Sequence, residues 1–306
     1  MSDRALLTVI ILTKDEERHI ERALASVADI ADRCYVVDSG STDRTIELAK
    51  AAGAIVLHNP WVNHATQFNW ALDQLPSDTQ WIMRLDADEI VTRPLAQEIQ
   101  ETLGAIADQV AGIVVSRRMC FLGRRIRWGG IFPIRLIRLF RIGKGKVENR
   151  WMDEHILVDG PTLDFRGEII DDNRHSLTWW TAKHNHYATL EAVELLNLEF
   201  GFMQKDAAPR ATQGKNAGAK RWIKETIYAR VPGGVRALLY FLYRYIVRLG
   251  FLDGHEGAAF HVLQGFWYRY LVDMKLHEVR IYMTRNEVGP VAAIHAVLGI
   301  DVESSS

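Results

Sequence analysis

Apolar positions in the first third of the chain fall into two kinds of run. Leu7–Leu12, Cys34–Val37, Ala54–Leu57 and Trp81–Leu85 are short and rich in β-branched or aromatic residues, which predicts buried strands. Between them, Glu16–Ala28 places Ile20, Leu24 and Val27 at helical spacing. Thr45–Ala52 and Thr66–Leu75 read as two further helices, the first with Ser41 or Thr42 placed to cap it. Strands alternating with helices predict an α/β fold with a parallel, doubly wound sheet. Ligands bind such sheets beyond the carboxyl ends of the strands. Thr13, Asp38 and Asp86 each lie just past such an end, so topology alone gathers three polar groups along one edge.

The pattern then changes. Gly112–Ser116 and the alternating Arg135–Arg141 predict strands, with Trp151–Val158 and Leu163–Arg166 as short extended segments. From Trp179 the spacing becomes helical, most clearly over Ala188–Phe202. Gln204–Ala219, rich in Ala, Gly and Lys, reads as a linker into a helical C-terminal region. The expected division is a catalytic domain over 1–205, with halves of about 1–116 and 117–205, and a helical region over 206–306.

Charge sharpens this division. The net charge of −1 conceals 18 acidic against 9 basic side chains in residues 1–116. Residues 117–150 carry 11 Arg or Lys against Glu148 alone, and residues 210–250 carry 9 against Glu225 alone. Two basic blocks imply anionic partners such as phosphates or an acidic membrane surface. No nucleic-acid module is recognisable, which excludes that partner class. Cys34 and Cys120 form neither a metal motif nor a disulfide framework, and the N-terminal apolar run is too short and interrupted for a secretory signal. No uncharged apolar run approaches the roughly 20 residues of a membrane span. The expected location is the cytoplasm.

Four stretches carry candidate chemistry. In Asp86-Ala87-Asp88 two carboxylates follow a buried strand, and such a pair repels itself unless a cation intervenes. Mg²⁺ or Mn²⁺ suits these hard oxygen donors and also binds substrate phosphates. Asp38, before the tight turn at Gly40, can accept an N–H from a nucleobase. Asp153 and Glu154 form an acid pair in Trp151–His155. His184 and His186, beside Trp179 and Trp180, are candidate metal or phosphate ligands.

With these residues in hand, the chain resembles family 2 glycosyltransferases of the GT-A fold. The matching stretches are Val9–Glu17, Val36–Thr42, Gln67–Leu72 and Asp86–Glu89, in the family's order and spacing. Lys14 departs from the pattern, where an aromatic residue followed by Asn is common. The resemblance covers roughly residues 5–200 and implies a Rossmann-like, mostly parallel sheet flanked by helices. It implies a nucleoside held by Thr13, Glu16 and Asp38, with Asp86 at the ribose, Asp88 on the metal, and Gln67 and Asn69 lining the crevice. It further implies an inverting hexosyltransferase whose base is Glu154 or, next in order, Asp153. Some GT-A enzymes use a late histidine on the metal, which keeps His184 and His186 as metal candidates.

Residues 235–275 complete the expectation. Arg236, Arg244 and Arg248 share a helical face among Leu, Ile, Tyr and Phe, the composition of an interfacial helix pair. Packing on the catalytic domain or on a second copy of the chain, a homo-oligomer, is the competing use of that face. Gly250–Gly254 resembles a motif of bacterial surface-polysaccharide glycosyltransferases. The resulting reading is transfer from a UDP- or GDP-sugar donor to a hydroxyl of a lipid-linked glycan in exopolysaccharide or lipopolysaccharide assembly, peripheral on the cytoplasmic face of the inner membrane. The alternative is another metal-dependent nucleotide enzyme such as a sugar nucleotidyltransferase, against which the acidic, Gly-free Thr13–Glu16 loop argues.

Overall fold

The computed structural model describes residues 6–148, 155–203 and 233–302. The expected linker Gln204–Ala219 lies outside the described residues. The chain divides into a sheet unit (1–126, 131–150 and 154–175) and a helical unit (127–130, 151–153 and 176–306).

The sheet unit opens with β1 (Leu7–Thr13), α1 (Ile20–Val27), β2 (Arg33–Asp38), α2 (Thr45–Ala51), β3 (Ile55–His58), α3 (His64–Asp73) and β4 (Trp81–Arg84). After these come β5 (Glu89–Val91), α4 (Arg93–Thr102), β6 (Gly112–Phe121), β7 (Arg124–Arg125), β8 (Ile134–Arg141), β9 (Gly145–Val147), β10 (Ile156–Val158) and β11 (Thr162–Asp172). The main sheet runs β3-β2-β1-β4-β8-β6-β11-β5, with β7 on β6, while β9 and β10 form a separate ribbon. Pairing is parallel among the first four strands and again between β6 and β11, and antiparallel at β4–β8, β8–β6 and β11–β5. The alternating basic strand β8 brings about the change of direction. Side chains on its two faces differ, which suits a strand whose one face carries charge.

Buried periodicity explains the helices. In α1, Ile20, Ala23, Leu24 and Val27 are buried at one-face spacing and join Leu7, Val9, Ile11 and Trp81 in one core. Truncating Leu24 there to Ala would cost about 2–5 kcal/mol. The other face of the sheet packs Ile10, Val37 and Ile82 against Phe68 and Ala71 of α3. Register then aligns the strand ends: Thr13 lies opposite Asp38, and Asp38 opposite His58. Ile10 opposite Arg84 brings Asp86 to the same edge.

The helical unit contains α5 (Leu177–Phe200), α6 (Gly233–Leu242), α7 (Gly254–Phe260), α8 (Tyr268–Asn286) and α9 (Pro290–Leu298). Two π-helical segments, Tyr243–Val247 and His261–Trp267, continue α6 and α7. Ser176 caps α5 by accepting the Trp179 amide, and Gly201, in the left-handed region, ends it. Its Ala188, Ala192, Val193 and Leu196 pack with Val272, Leu276 and Val279 of α8 and with Ala293 and Ile294 of α9. No helix among the described residues is long and apolar enough to cross a membrane.

The expected basic face of 235–248 is not found. Arg236 is paired with Asp273, and Arg244 is buried. What faces outward is apolar: Leu238, Leu239, Tyr243, Ile246 and Val247 are exposed, with Arg248 among them. The interior takes the Arg244 side of the helix because α8 and the second π segment pack there, with the Arg244 guanidinium over the Tyr240 and Phe260 rings.

Candidate active site

The strand-end loops after β1 and β2 hold each other. The Asp15 amide donates to Ser41 Oγ at 2.9 Å, and the Thr42 amide donates to Asp15 Oδ1 at 2.7 Å. The Glu16 amide donates to Thr45 Oγ1 and the Glu17 amide to Asp43 Oδ2. Ser41 and Thr42 therefore fasten the first loop instead of capping α2. The Thr45 amide is taken by Asp43 Oδ1 at 2.9 Å. Asp38, almost fully buried, accepts the Gly40 and Ser41 amides at 2.9 and 3.0 Å. Gly40, at φ +98°, adopts a backbone that a side chain would strain. Burial alone would raise the Asp38 pKa. The Ser41 and Gly40 hydrogen bonds and His58, 3.6 Å away, outweigh it and hold the carboxylate below its usual value. Thr13 Oγ1 lies 3.5 Å from Asp38 Oδ1.

Glu16 is anchored from the side. His19, fully buried, meets Glu16 Oε2 through Nδ1 at 2.6 Å, and its Nε2 accepts the Arg174 amide at 2.8 Å. An amide can only donate, so the Nδ1 proton faces the carboxylate. Glu16, His19 and His175 are a group of three potential metal donors within 4.8 Å of one another. With both His19 nitrogens committed, the group is a hydrogen-bonded support for Glu16 and not a cation cage.

The acidic edge is built by five strands, β4, β5, β6, β8 and β11. Asp86 and Glu89 turn around each other, since the Glu89 amide donates to Asp86 O at 2.9 Å and the Asp86 amide to Glu89 Oε2 at 3.0 Å. Arg138 of β8, buried, reaches both carboxylates, and Arg84 lies 3.3 Å from Asp86 Oδ1. The half-buried Asp86 and the buried Glu89 share one guanidinium and titrate as a unit. Burial opposes the charge on Asp86, but Arg138 and Arg84 hold its carboxyl well below the usual range. Burial pushes Glu89 up to about 8, with Arg138 opposing and Asp86 adding to the rise. Asp171, at the end of β11, lies 3.7 Å from Arg117 and is pushed up to about 7 by burial and by the charge of Asp88.

Asp88 differs from its neighbours. Its Oδ2 accepts the Asn173 Nδ2 at 2.9 Å, its backbone carbonyl accepts the Asp172 amide, and it meets no guanidinium among the described residues. A carboxylate with a second acid beside it and only a neutral amide on it is a donor set that fits a hard divalent cation. Asp171, Asn173 and Arg138 were not singled out from sequence. Arg138 left a trace there as a basic residue inside an alternating strand. Asp171 and Asn173 left none, because β11 was expected to end at Arg166 and instead runs on to Asp172.

Other expected residues fall elsewhere. Gln67 exchanges hydrogen bonds with Asn59 at 2.8 and 3.0 Å, and Asn69 pairs with both backbone groups of Val147 at 2.9 Å. Both amides thus pin the chain. His184 and His186 lie on α5, where residues two apart point to different sides, so the two cannot hold one ion together. His184 stacks on Trp180 with ring centres 3.5 Å apart, and its Nδ1 meets Trp180 O at 2.9 Å. Burial lowers its pKa to about 4, so the ring is neutral at pH 7. His186 is exposed. Asp153 and Glu154 lie outside the described residues.

The chain is similar to several known proteins. The family model for Glycosyl transferase family 2 matches residues 8–165, which contain every strand of the sheet described above except Leu7 of β1 and the end of β11. An uncharacterized glycosyltransferase of Rickettsia conorii is 37% identical over 277 residues, covering 89% of this chain and 90% of its own. The lipopolysaccharide core biosynthesis glycosyltransferase LpsC of Rhizobium meliloti is 30% identical over 200 residues, covering 61% of this chain and 70% of its own. A crystal structure of glucosyl-3-phosphoglycerate synthase from Mycobacterium tuberculosis overlaps 39% of this chain and 45% of its own, at 21% identity and a TM-score of 0.31. The chain belongs to glycosyl transferase family 2, with a GT-A fold and a helical C-terminal region.

Proposed function

We propose that this glycosyltransferase moves a sugar from a UDP- or GDP-sugar to a hydroxyl of a lipid-linked glycan during surface-polysaccharide assembly, with inversion and with Mg²⁺ or Mn²⁺. The observation that carries the reading is Asp88, an acid beside Asp171 with only a neutral amide on it. Asp88 and Asp171 would hold the cation on the donor diphosphate. When bound, the cation offsets charge developing on the leaving diphosphate. Thr13, Glu16 and Asp38 take the nucleoside, with Asp38 accepting from the base. Its existing amide bonds fix the carboxylate direction in advance. Asp86, kept ionised by Arg138 and Arg84, faces the ribose. Gln67 and Asn69 shape the rim by holding α3 to the preceding loop and to β9. Glu154, or Asp153, removes the acceptor proton from the side opposite the leaving group. His184, neutral with one nitrogen already engaged, and the exposed His186 are each candidates for a single further metal or phosphate contact.

The acceptor assignment rests on the lipopolysaccharide core relative and on the exposed apolar stretch of the helical unit. A contiguous patch carrying Arg248 and no acid over 235–252 suits the cytoplasmic face of an anionic membrane. The test is product analysis with UDP- and GDP-sugars, a divalent cation and lipid extract. Free UDP or GDP that disappears with EDTA is expected. Release of pyrophosphate or inorganic phosphate as the primary product would overturn the reading.

A further inference from the structure

The helical unit holds a second polar feature unrelated to the acidic edge. Arg244 is only 6% exposed, and its Nε and Nη2 have no hydrogen-bond partner among the described residues. These two nitrogens are the side-on edge of the guanidinium, two parallel N–H donors matched to two oxygens of one anion. No carboxylate of the described residues is bonded to it. Asp253 accepts the Arg127 and Trp128 amides at 2.9 Å, and its Oδ2 lies 3.6 Å from His261 Nε2. Burying a cation without a partner costs several kcal/mol, so a folded chain retains one only where something else supplies the opposite charge.

The surroundings are arranged for a ligand. Tyr240 lies between two guanidinium groups, Arg244 at 5.4 Å and Arg269 at 5.5 Å from its ring centre. Burial works against the Arg244 charge and Arg269 adds to this, while the Tyr240 side chain acts in its favour. Arg244 and His261, a fully buried ring whose Nε2 lies 3.6 Å from Asp253 Oδ2, sit in the two π-helical segments. Such widened turns inside α-helices occur frequently at functional sites.

We propose that Arg244 anchors an oxyanion site within the helical unit that takes a phosphate group side-on. The phosphate is borne either by free phosphate or pyrophosphate or by a phosphomonoester lipid headgroup. The site stands on Arg244 and its neighbours alone and does not depend on the sugar-transfer reading.

The test uses the full chain in EDTA and in an Asp88→Ala background, so that the acidic edge does not report. Pyrophosphate and inorganic phosphate are titrated by calorimetry, and flotation compares phosphatidylcholine vesicles with and without phosphatidic acid. Saturable binding that Arg244→Met weakens at least about tenfold supports the site with a soluble phosphate. Equal binding of both proteins to phosphatidylcholine, with the extra binding to phosphatidic acid lost in Arg244→Met, supports a headgroup. Arg244→Lys, which keeps the charge without the paired edge, should resemble Arg244→Met. No Arg244-dependent difference with either probe overturns the proposal. So does an Arg244→Met protein that fails to fold in phosphate-free buffer, since the guanidinium would then be held by a partner within the chain.

Discussion

Two buried arginines, one in each unit, show opposite solutions to the same problem. Arg138 of the sheet unit is 4% exposed and reaches two carboxylates, Asp86 and Glu89, while Arg244 of the helical unit is 6% exposed and reaches none among the described residues. In the first case charge is balanced inside the chain, and the balance fixes which of the neighbouring acids stays ionised. In the second the balance is left to something that binds. The acidic edge carries the same lesson with the sign reversed. Asp86 is neutralised by guanidinium groups and Asp88 is not, so the unbalanced member of the DxD pair is the one suited to a cation.

The sharpest way to break this comparison is at Asp88. Asp88→Ala should lower metal-dependent transfer by about 10³-fold, the several kcal/mol expected of charge stabilisation on a leaving diphosphate, with the unfolding midpoint little changed. A stability loss as large as the activity loss would make Asp88 a structural acid. Next come the arginines. Arg138→Met should destabilise the chain by about 3–5 kcal/mol because it strands buried carboxylates. Adding Glu89→Gln should recover part of that loss in denaturant melts. Arg244→Met in phosphate-free buffer should be neutral or stabilising, as replacement of an unbalanced buried ion by an apolar side chain allows. Similar losses for both arginines would erase the distinction.

A smaller effect is expected on the apolar face. Ile246→Glu should reduce flotation with anionic vesicles while changing stability by no more than about 0.5 kcal/mol, since the side chain is exposed. The smallest effect concerns acid. Asp38 is held below its ordinary value, so its contribution to stability is present above about pH 4 and is lost as pH falls through the lowered folded value. Asp38→Asn should therefore make stability fall less steeply on the acid side of pH 4, measured by thermal melts across pH. An unchanged acid limb would place the charge of Asp38 outside the folding balance.

Much of the nucleotide side was legible beforehand. Short β-rich runs ending at Thr13, Asp38 and Leu85 could be placed in order without any contact being known, because a parallel sheet puts successive carboxyl ends on one edge. The acceptor side was less legible. β11 joins apolar and acidic residues over Thr162–Asp172, and only its pairing with β5 and β6 keeps Asp171 and Asp172 in a strand. The basic face expected around Arg236 and Arg244 failed for a related reason. Helical spacing places residues on a common side, but whether that side is buried depends on what packs there. Asp273 takes Arg236, and the rings of Tyr240 and Phe260 cover Arg244.

The sequence by itself determined the α/β topology, the edge on which the polar strand ends gather, and the DxD pair with its preference for a hard cation. These follow from local periodicity and from the chemistry of adjacent side chains. Only the tertiary structure decided which charges are balanced. Arg138 meets Glu89 across 49 residues, and Asn173 meets Asp88 across 85. Pairings over such separations are set by strand register and helix packing, so the division of labour between Asp86 and Asp88, and the unmatched guanidinium of Arg244, arise only once the chain is folded.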